Sequence, residues 1–265
     1  MRKLGVTQCS MWNSKLDEFL PAASRAGYEV VEVMLRKEGE LSPTTSDADL
    51  EVIRRRAESL NVHIFSAALL HLEKTPLDRG ASRLEAVEGI RNGLRAARKL
   101  GASSALLTLG RLRPDLYYDE AYANGVTSLR EAAQTAHELG IEIAVEFVWN
   151  GFLFSPMEMK RFLDDVGHSH VGFYFDPGNM AVFQFPQHWV RILGRHTKLV
   201  HLKDWKGGPL NGKWTALLEG EVDFPAVMRE LNAIGYQGPL TSEVEVDLAP
   251  YEKTLQAMKQ IDAMK

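Results

Sequence analysis

The sequence predicts a single-domain α/β barrel of eight strand–helix units, and three observations support this fold class. First, one pattern repeats along the chain: a helical segment ends at glycine or a polar residue, and a short apolar run follows at once. Second, no long linker interrupts these units, so a parallel sheet with helical crossovers is expected. Third, the length of 265 residues is near the roughly 250 residues typical of a (β/α)8, or TIM, barrel. The range 1–265 is therefore interpreted as one TIM-barrel domain.

The predicted strands start with the opening run KLGVTQ (3–8), and each later strand follows the end of a helix. In clear examples, AASRAG leads into YEVVEV (22–33) and AHELG leads into IEIAVE (136–146). The eight strands are expected near residues 4, 30, 62, 104, 142, 171, 198 and 239. Five helices are expected to end at a glycine in the left-handed conformation, which strains a residue with a Cβ: Gly27, Gly101, Gly140, Gly167 and Gly235.

Helices are predicted between the strands from capping signals and from the spacing of apolar residues. The segments 82–85 and 155–158 both have the Ser-x-x-Glu pattern of a capping box. Apolar residues in 82–100 recur at the spacing of an amphipathic helix. Similar patterns predict helices over 224–234 and 251–264.

Alternation in the fifth and sixth predicted strands agrees with a closed barrel. Ala144 and Tyr174 each lie two residues before a polar strand end and are expected to point inward. Val145 and Phe175 are expected to point outward and to pack beneath the helices. A doubly wound open sheet is the alternative, but no glycine-rich phosphate-binding turn follows the first strand.

Composition and charge limit the classes of partner and location. With 45% hydrophobic and 25% charged residues, the chain has the composition of an ordinary globular protein. The net charge of −4 makes a nucleic-acid partner unexpected. The single cysteine, Cys9, excludes an intrachain disulfide. No apolar window has the length of a membrane span or of a signal-peptide core, so a cytoplasmic location without membrane association is expected.

Four polar side chains stand where four consecutive predicted strands end: Glu146, Asp176, His201 and Glu243. In one parallel barrel these strand ends converge at one mouth, so the four side chains are predicted to form a metal site. Three carboxylates and one imidazole suit Mn²⁺, Mg²⁺ or Co²⁺, and Zn²⁺ is also compatible. Each of these residues alone could instead have a structural role, as part of a salt bridge, as the cap of a turn or as a buried histidine. Glu245 could replace Glu243 as a ligand.

Other residues near the strand ends are candidates for substrate contact. Glu32 is expected to point into the same mouth. Its alternative, structural role is a salt bridge in the barrel wall. Asn179 either binds a substrate hydroxyl or closes the turn after Asp176. Lys203 and Lys206 could neutralise an enolate or a phosphate group, or could simply be solvated.

Two further expectations concern the surroundings of the predicted metal site. Trp149, together with Trp12 and Trp205, could form an apolar wall against a sugar ring or could pack at the barrel rim. Asp204 lies three residues after His201 and is expected to orient or support that histidine.

The residues around these strand ends resemble those of the xylose isomerase-like TIM-barrel superfamily, whose members are commonly called sugar phosphate isomerases/epimerases. The HLKD and GYxGxLxxE patterns, in this order after the other ligands, are specific to the superfamily but not to a substrate. The matching segments cover nearly the whole chain and are GYEVVE (27–32), AVE (144–146), FDPGN (175–179), VHLKD (200–204), LEGEVDF (218–224) and GYQGPLTSE (235–243).

The resemblance implies one set of metal ligands, namely Glu146, Asp176, His201 and Glu243. The order of the segments selects Glu243 over Glu245. In ketose 3-epimerases such as D-tagatose 3-epimerase, the two corresponding glutamates are also the acid/base pair. Those enzymes have a histidine where this chain has Asn179, and they have a substrate-binding arginine near the position of Lys206. The resemblance therefore implies the fold and the metal centre more closely than the substrate contacts.

The expected function is that of a divalent-metal-dependent isomerase or epimerase of a sugar or sugar phosphate, with Mn²⁺ as the first choice of metal. Glu146 and Glu243 would remove and return the α-proton through an enediolate. A lyase of the same superfamily, either an inosose dehydratase or a C-glycoside-cleaving subunit, is the alternative. An endonuclease IV-like DNA-repair enzyme is a remote alternative, because its metal cluster needs a histidine where Asn179 stands. A homo-oligomer is compatible with the sequence. The sequence does not specify which sugar is the substrate.

Overall fold

In a computed structural model, which describes residues 2–264, eight parallel strands form a closed barrel. The barrel strands are β1 (Leu4–Thr7), β2 (Val30–Leu35), β3 (His63–Leu69), β4 (Ser104–Leu107), β5 (Glu142–Glu146), β6 (Val171–Phe175), β7 (Thr197–Leu202) and β10 (Leu240–Ser242). Each strand pairs with its neighbours along the chain, and β10 closes the barrel by pairing with both β7 and β1. The predicted (β/α)8 fold class is confirmed.

Helices cover the outside of the barrel, and a small hairpin interrupts the pattern after β7. The hairpin consists of the antiparallel strands β8 (Asp204–Lys206) and β9 (Lys213–Thr215), within a stretch that the sequence analysis does not assign to strands. Within residues 2–264 the α-helices are α1 (Leu16–Ala26), α2 (Asp47–Ser59), α3 (Gly80–Lys99), α4 (Tyr118–Leu139), α5 (Pro156–Val166), α6 (Pro177–Ala181), α7 (Pro186–Leu193), α8 (Phe224–Ala233) and α9 (Tyr251–Asp262).

The predicted helix ends are mostly confirmed. All five glycines expected to end helices have positive φ angles, between 62° and 94°. Ser155 caps α5 and accepts a hydrogen bond from the backbone N–H of Glu158 at 3.2 Å. The capping box predicted at 82–85 is wrong, because α3 already begins at Gly80. There the chain enters the helix from an extended Arg79, after a turn closed by a hydrogen bond from the Thr75 backbone N–H to Asp78 Oδ2 at 2.9 Å.

The core has two layers, one on each side of the barrel wall. Ala144 and Tyr174 lie inside the barrel, whereas Val145 and Phe175 belong to the larger apolar layer between strands and helices. These placements confirm the predicted alternation. The other residues of the inner layer are Val30, Phe65, Ala68, Leu106 and Leu199. Among the helices within residues 2–264, none combines the length and the apolar character that crossing a membrane requires.

Candidate metal centre

The four predicted ligands meet at the C-terminal mouth of the barrel. Glu146 is the last residue of β5, His201 is next to last in β7, and Asp176 and Glu243 directly follow β6 and β10. These strands are consecutive around the barrel. One potential ligand atom from each residue lies within 4.8 Å of the other three. The spacing is that of a group that could hold one divalent cation.

Two buried ligand atoms of this group have no hydrogen-bond partner. Asp176 Oδ1 accepts hydrogen bonds from the backbone N–H groups of Gly178 (2.8 Å) and Asn179 (3.1 Å), but its Oδ2 has no partner. His201 Nδ1 is also without a partner and lies 3.4 Å from Glu146 Oε1. Buried polar atoms are almost always hydrogen-bonded, so two unpartnered atoms in one cluster fit a site for a cation. Together, three carboxylates and one imidazole fit a divalent ion.

Burial and mutual repulsion disturb the protonation of these groups. Burial raises the pKa of Glu146 to about 7 and the pKa of Asp176 to about 6. Burial alone would lower the pKa of His201, but the Glu32 and Glu146 carboxylates raise it well above its usual value. Burial alone would raise the pKa of Glu243, but the Lys203 ammonium holds it below its usual value. A cluster of this kind is typical of a functional site.

Different donors hold the two glutamates of the centre. Asn179 Nδ2 donates to Glu146 Oε1 at 3.2 Å and to the Phe147 carbonyl at 3.1 Å. Lys203 Nζ donates to Glu243 Oε2 at 2.9 Å, and its side chain is half-buried. Asn179 and Lys203, both expected to contact substrate, are therefore already bound to the two glutamates.

The β8–β9 hairpin packs against these donors through an aromatic cluster. Trp214 of β9 stacks on Trp149, with ring centroids 5.2 Å apart and planes 4° from parallel. Lys203 Nζ lies 4.3 Å from the centre of the Trp214 ring, a cation–π distance. Trp149 Nε1 donates to the Asn179 carbonyl at 3.0 Å. The hairpin thus contacts the supports of both glutamates.

Gly178 permits this close packing. A Cβ built on Gly178 would lie 2.9 Å from Lys203 Cβ and 3.0 Å from Trp214 Cζ3. Such contacts are shorter than side chains tolerate in a packed interior. Only glycine fits between Asp176 and the hairpin at this position.

A cavity of about 620 Å³ opens beside Glu243, between the loops that follow β1 and β10. Its walls include Trp12 and three acidic side chains, namely Glu18, Glu245 and Asp247. Trp12 is 51% exposed and lies beneath the Arg36 guanidinium. The cavity offers a route from solvent to the metal centre, and Trp12 stands on its wall.

The placement of Glu32 differs from the expected substrate contact. The strand β2 continues for three residues beyond Glu32, to Leu35, so Glu32 lies below the mouth and is fully buried. Its carboxylate is 3.1 Å from His201 Nε2. This placement favours a contact with the histidine and leaves no side of the carboxylate open to a ligand in the mouth.

Asp204 does not have the expected contact with His201. Its carboxylate accepts hydrogen bonds from the backbone N–H groups of Trp205 (2.9 Å), Gly220 (3.0 Å) and Val222 (3.2 Å). Asp204 therefore closes the loop that contains the hairpin, and the partner of His201 is Glu32. The strand after His201 turns away into β8, which carries Asp204 away from the ring.

Lys206 and Trp205 lie in the hairpin. Lys206 is exposed in β8 and faces Lys213 across the hairpin, away from the carboxylates of the centre. Trp205 is buried, and its Nε1 donates to the Gly207 carbonyl at 2.7 Å. Trp214 lies in the loop after β7, and nothing in the local sequence pattern distinguishes it from the other loop tryptophans.

Comparison with known proteins agrees with this architecture. A protein family model described as "Xylose isomerase-like TIM barrel" matches residues 20–264. An uncharacterized protein of Methanocaldococcus jannaschii is 23% identical over 91% of this chain and 83% of its own length. An inosose dehydratase of Lacticaseibacillus casei is 24% identical over 168 residues, which is 56% of each protein.

A solved structure shares the fold over nearly the full length. The structure of a D-tagatose 3-epimerase-like protein matches with a TM-score of 0.82 at 21% identity and covers 98% of both chains. At that identity the likeness supports the fold alone. The family model covers seven of the eight barrel strands and all four clustered residues, and the chain therefore belongs to the xylose isomerase-like TIM-barrel family.

Proposed function

We propose that the protein is a divalent-metal-dependent isomerase or epimerase of a sugar or sugar phosphate. The observation that carries the proposal is the arrangement of Glu146 and Glu243 in one cluster with Asp176 and His201. Two carboxylates that share a centre, each held by its own donor, suit the removal and return of a proton next to a carbonyl group. Membership of a family named for xylose isomerase supports the same reaction class.

Glu146 and Glu243 are suited to act as acid and base on opposite sides of a substrate. They end β5 and β10, which are three strands apart around the barrel. One carboxylate removes the α-proton, and the other returns a proton to the far side of the enediolate, which gives epimerisation. If one carboxylate moves the proton between neighbouring carbons, aldose–ketose isomerisation results. Asn179 and Lys203 hold the two carboxylates in place.

A divalent ion held by Glu146, Asp176, His201 and Glu243 would supply the polarisation of the carbonyl that makes the α-proton acidic. We propose Mn²⁺ as this ion, because oxygen ligands dominate the set. Mg²⁺, Co²⁺ and Zn²⁺ are alternatives for the same ligands.

The cavity favours a neutral polyhydroxy substrate over a phosphorylated one. Its walls carry Glu18, Glu245 and Asp247, which would repel a phosphate group. Lys203, the cation nearest the centre, already forms an ion pair with Glu243. Lys206 points to the hairpin surface, although it remains our candidate contact for a substrate that extends over the hairpin. Trp149 is 44% exposed at the mouth and could pack against a sugar ring.

A lyase reaction is the second candidate, and the similarity to inosose dehydratases over about half of their length favours it. Dehydration of an inosose begins with the same proton abstraction as epimerisation. The two reactions differ only in whether a β-hydroxyl leaves after the proton is lost. The identity of the product therefore distinguishes them.

The proposal is tested by deuterium exchange. Mn²⁺-loaded protein is incubated in D₂O with free ketoses, ketose phosphates and inososes, and the products are followed by NMR. We expect metal-dependent deuterium incorporation next to the carbonyl of at least one compound. EDTA-treated protein and the Glu146→Gln variant should lose at least about 100-fold in exchange rate, as is usual for an acid/base group.

A matched control lies on the same strand. Glu142 starts β5 at the opposite end of the barrel and forms an ion pair with Lys198, so Glu142→Gln should retain exchange. Wild-type exchange rates in the folded Glu146→Gln variant would remove Glu146 from the mechanism. Absence of exchange with every compound would refute the proposed reaction class.

A further inference from the structure

We infer that Glu32 is a positioning residue that fixes the tautomer and orientation of His201, so that Nδ1 is the nitrogen presented to the metal. The inference rests on the metal site of the proposed function but is independent of the proposed reaction. It concerns a polar group inside the barrel, below the mouth, that takes no part in the chemistry described above.

Glu32 accepts three hydrogen bonds from three other strands. Ser66 Oγ of β3 donates to Oε2 at 2.7 Å, and the Tyr174 hydroxyl of β6 donates to Oε2 at 3.1 Å. His201 Nε2 of β7 lies 3.1 Å from Oε1. A fully buried carboxylate is costly unless it is satisfied in this way. The group is therefore assembled around one acceptor.

An irregularity in the pairing of β2 with β3 places Glu32 opposite Ser66. Between β2 and β3, Val31 pairs with Ile64, but Glu32 pairs with Ser66, so the register shifts by one residue at this point. Bulges of this kind re-aim a side chain and are frequent beside functional sites. Here the shift brings the Ser66 hydroxyl next to Glu32, inside the barrel.

The hydrogen bond to Glu32 determines which nitrogen of His201 is free. A carboxylate has no proton to donate, so Nε2 of His201 must carry the hydrogen. In the neutral ring, Nδ1 then has the lone pair. Nδ1 faces Glu146 Oε1 at 3.4 Å and Glu243 Oε2 at 3.6 Å, which is the side of the metal centre. With the other tautomer, the lone pair would point away from the centre.

Tyr174 restricts the same ring from a second direction. Its ring centroid is 4.2 Å from that of His201, and its hydroxyl is bound to Glu32. Both the position and the rotation of the imidazole are therefore set by residues below the mouth. A carboxylate behind a metal-binding histidine commonly has this effect, and its loss typically weakens metal binding about 10–100-fold.

The test is metal affinity in the Glu32→Gln variant, with Zn²⁺ and Mn²⁺ as the only ligands. Glutamine keeps the size of the side chain, but its amide can face His201 with a donor and favour the wrong tautomer. We expect the dissociation constants, measured by chelator competition and calorimetry, to rise about 10–100-fold. Circular dichroism and thermal unfolding establish that the variant is folded.

Asp78→Asn is the matched control, since it also converts a buried acid to an amide. Asp78 accepts hydrogen bonds from the Thr75 backbone N–H and from Arg113, outside the metal centre, so metal affinity should change less than about 3-fold. Unchanged affinity in folded Glu32→Gln protein would overturn the inference. An equal loss of metal affinity in both variants would also overturn the inference, because the loss would then follow from removing any buried acid.

A second measurement is made on protein in which Glu32 and its donors are unchanged. In Zn²⁺-loaded protein labelled with ¹⁵N-histidine, long-range ¹H–¹⁵N spectra distinguish a protonated Nε2 from a protonated Nδ1, and a His201→Gln sample identifies the signal. We expect the hydrogen on Nε2. A hydrogen on Nδ1, or the absence of Zn²⁺ and Mn²⁺ binding in wild-type protein, would refute the inference. Tight metal binding without exchange of any ketose would leave it intact and would count against the proposed reaction alone.

Discussion

At the scale of single residues, the site is organised by the groups that hold its ligands. Each ligand has a different support, which leaves a particular atom free for a cation. The pairs are Glu146 with Asn179, Asp176 with the first turn of α6, His201 with Glu32, and Glu243 with Lys203. Two of the ligands, Asp176 and His201, keep a buried atom without a partner. Both residues belong to the cluster in which one potential ligand atom of each member lies within 4.8 Å of the others.

Proton competition is the first prediction at this scale. Burial raises the pKa of Glu146 to about 7 and that of Asp176 to about 6, so both are increasingly protonated in metal-free protein as the pH falls from 8 to 6. A metal ion must displace these protons. We expect Mn²⁺ affinity to weaken over this range, with a limit of about tenfold per pH unit for each proton displaced. Titrations at pH 6, 7 and 8 at constant ionic strength measure the effect. Affinity that is constant or rises toward pH 6 would contradict the prediction.

At the scale of elements, the β8–β9 hairpin and α6 shape the mouth together. The hairpin brings Trp214 onto both Trp149 and Lys203, and Gly178 of α6 lets it approach. Asp204 fixes the base of the hairpin through loop backbone. The hairpin is not one of the eight barrel strands, and its contacts with Trp149 and Lys203 help to form the mouth.

The Trp214→Ala variant tests this role. It removes aromatic contacts with Trp149 and Trp205 and one cation–π contact with Lys203, and we expect a loss of about 1–2 kcal/mol in the free energy of unfolding. Deuterium exchange should also slow, because Lys203 loses a contact that holds it against Glu243. Leu210→Ala at the fully exposed hairpin tip is the control and should change stability by less than about 0.5 kcal/mol. Equal effects of both changes on urea unfolding would argue against a packing role for Trp214.

At the scale of the whole molecule, the barrel gathers three carboxylates at one end. Closure by β10 is what brings Glu243 within reach of Glu146 and Asp176. Like charges held together in a buried site oppose folding, and a divalent ion offsets their repulsion. The metal is therefore expected to stabilise the entire fold.

Thermal unfolding measures this linkage. At a metal concentration of 100 times the dissociation constant, a ligand that binds only the native state stabilises it by about 2.7 kcal/mol. For a chain of this size we expect the Tm to rise by about 5–10 °C on adding Mn²⁺ and to fall again with EDTA. The Asp176→Asn variant should respond much less. A Tm that does not depend on metal in wild-type protein would count against the metal site.

The barrel and the four residues that meet at its mouth could be predicted from the sequence. Both follow from local signals: alternation assigns Ala144 and Val145 to opposite sides of the wall, and Gly140 ends a helix through its own backbone. Residues at the ends of parallel strands must share one edge of the barrel. The predicted start of α3 is wrong by two residues, because the helix begins directly after the preceding turn and not at Ser82.

The groups that support these four residues could not be predicted in this way, because they depend on tertiary contacts. Glu32 lies below the mouth beside His201 because β2 runs on to Leu35, and a register shift between β2 and β3 places Ser66 next to it. The apolar pattern contains neither feature. Asp204 turns away from His201 because a hairpin begins there. Trp214 contacts Lys203 across the hairpin and Trp149 from another loop of the barrel. Such contacts depend on strand length, register and loop path, which are set by packing across the barrel rather than by the residues alongside.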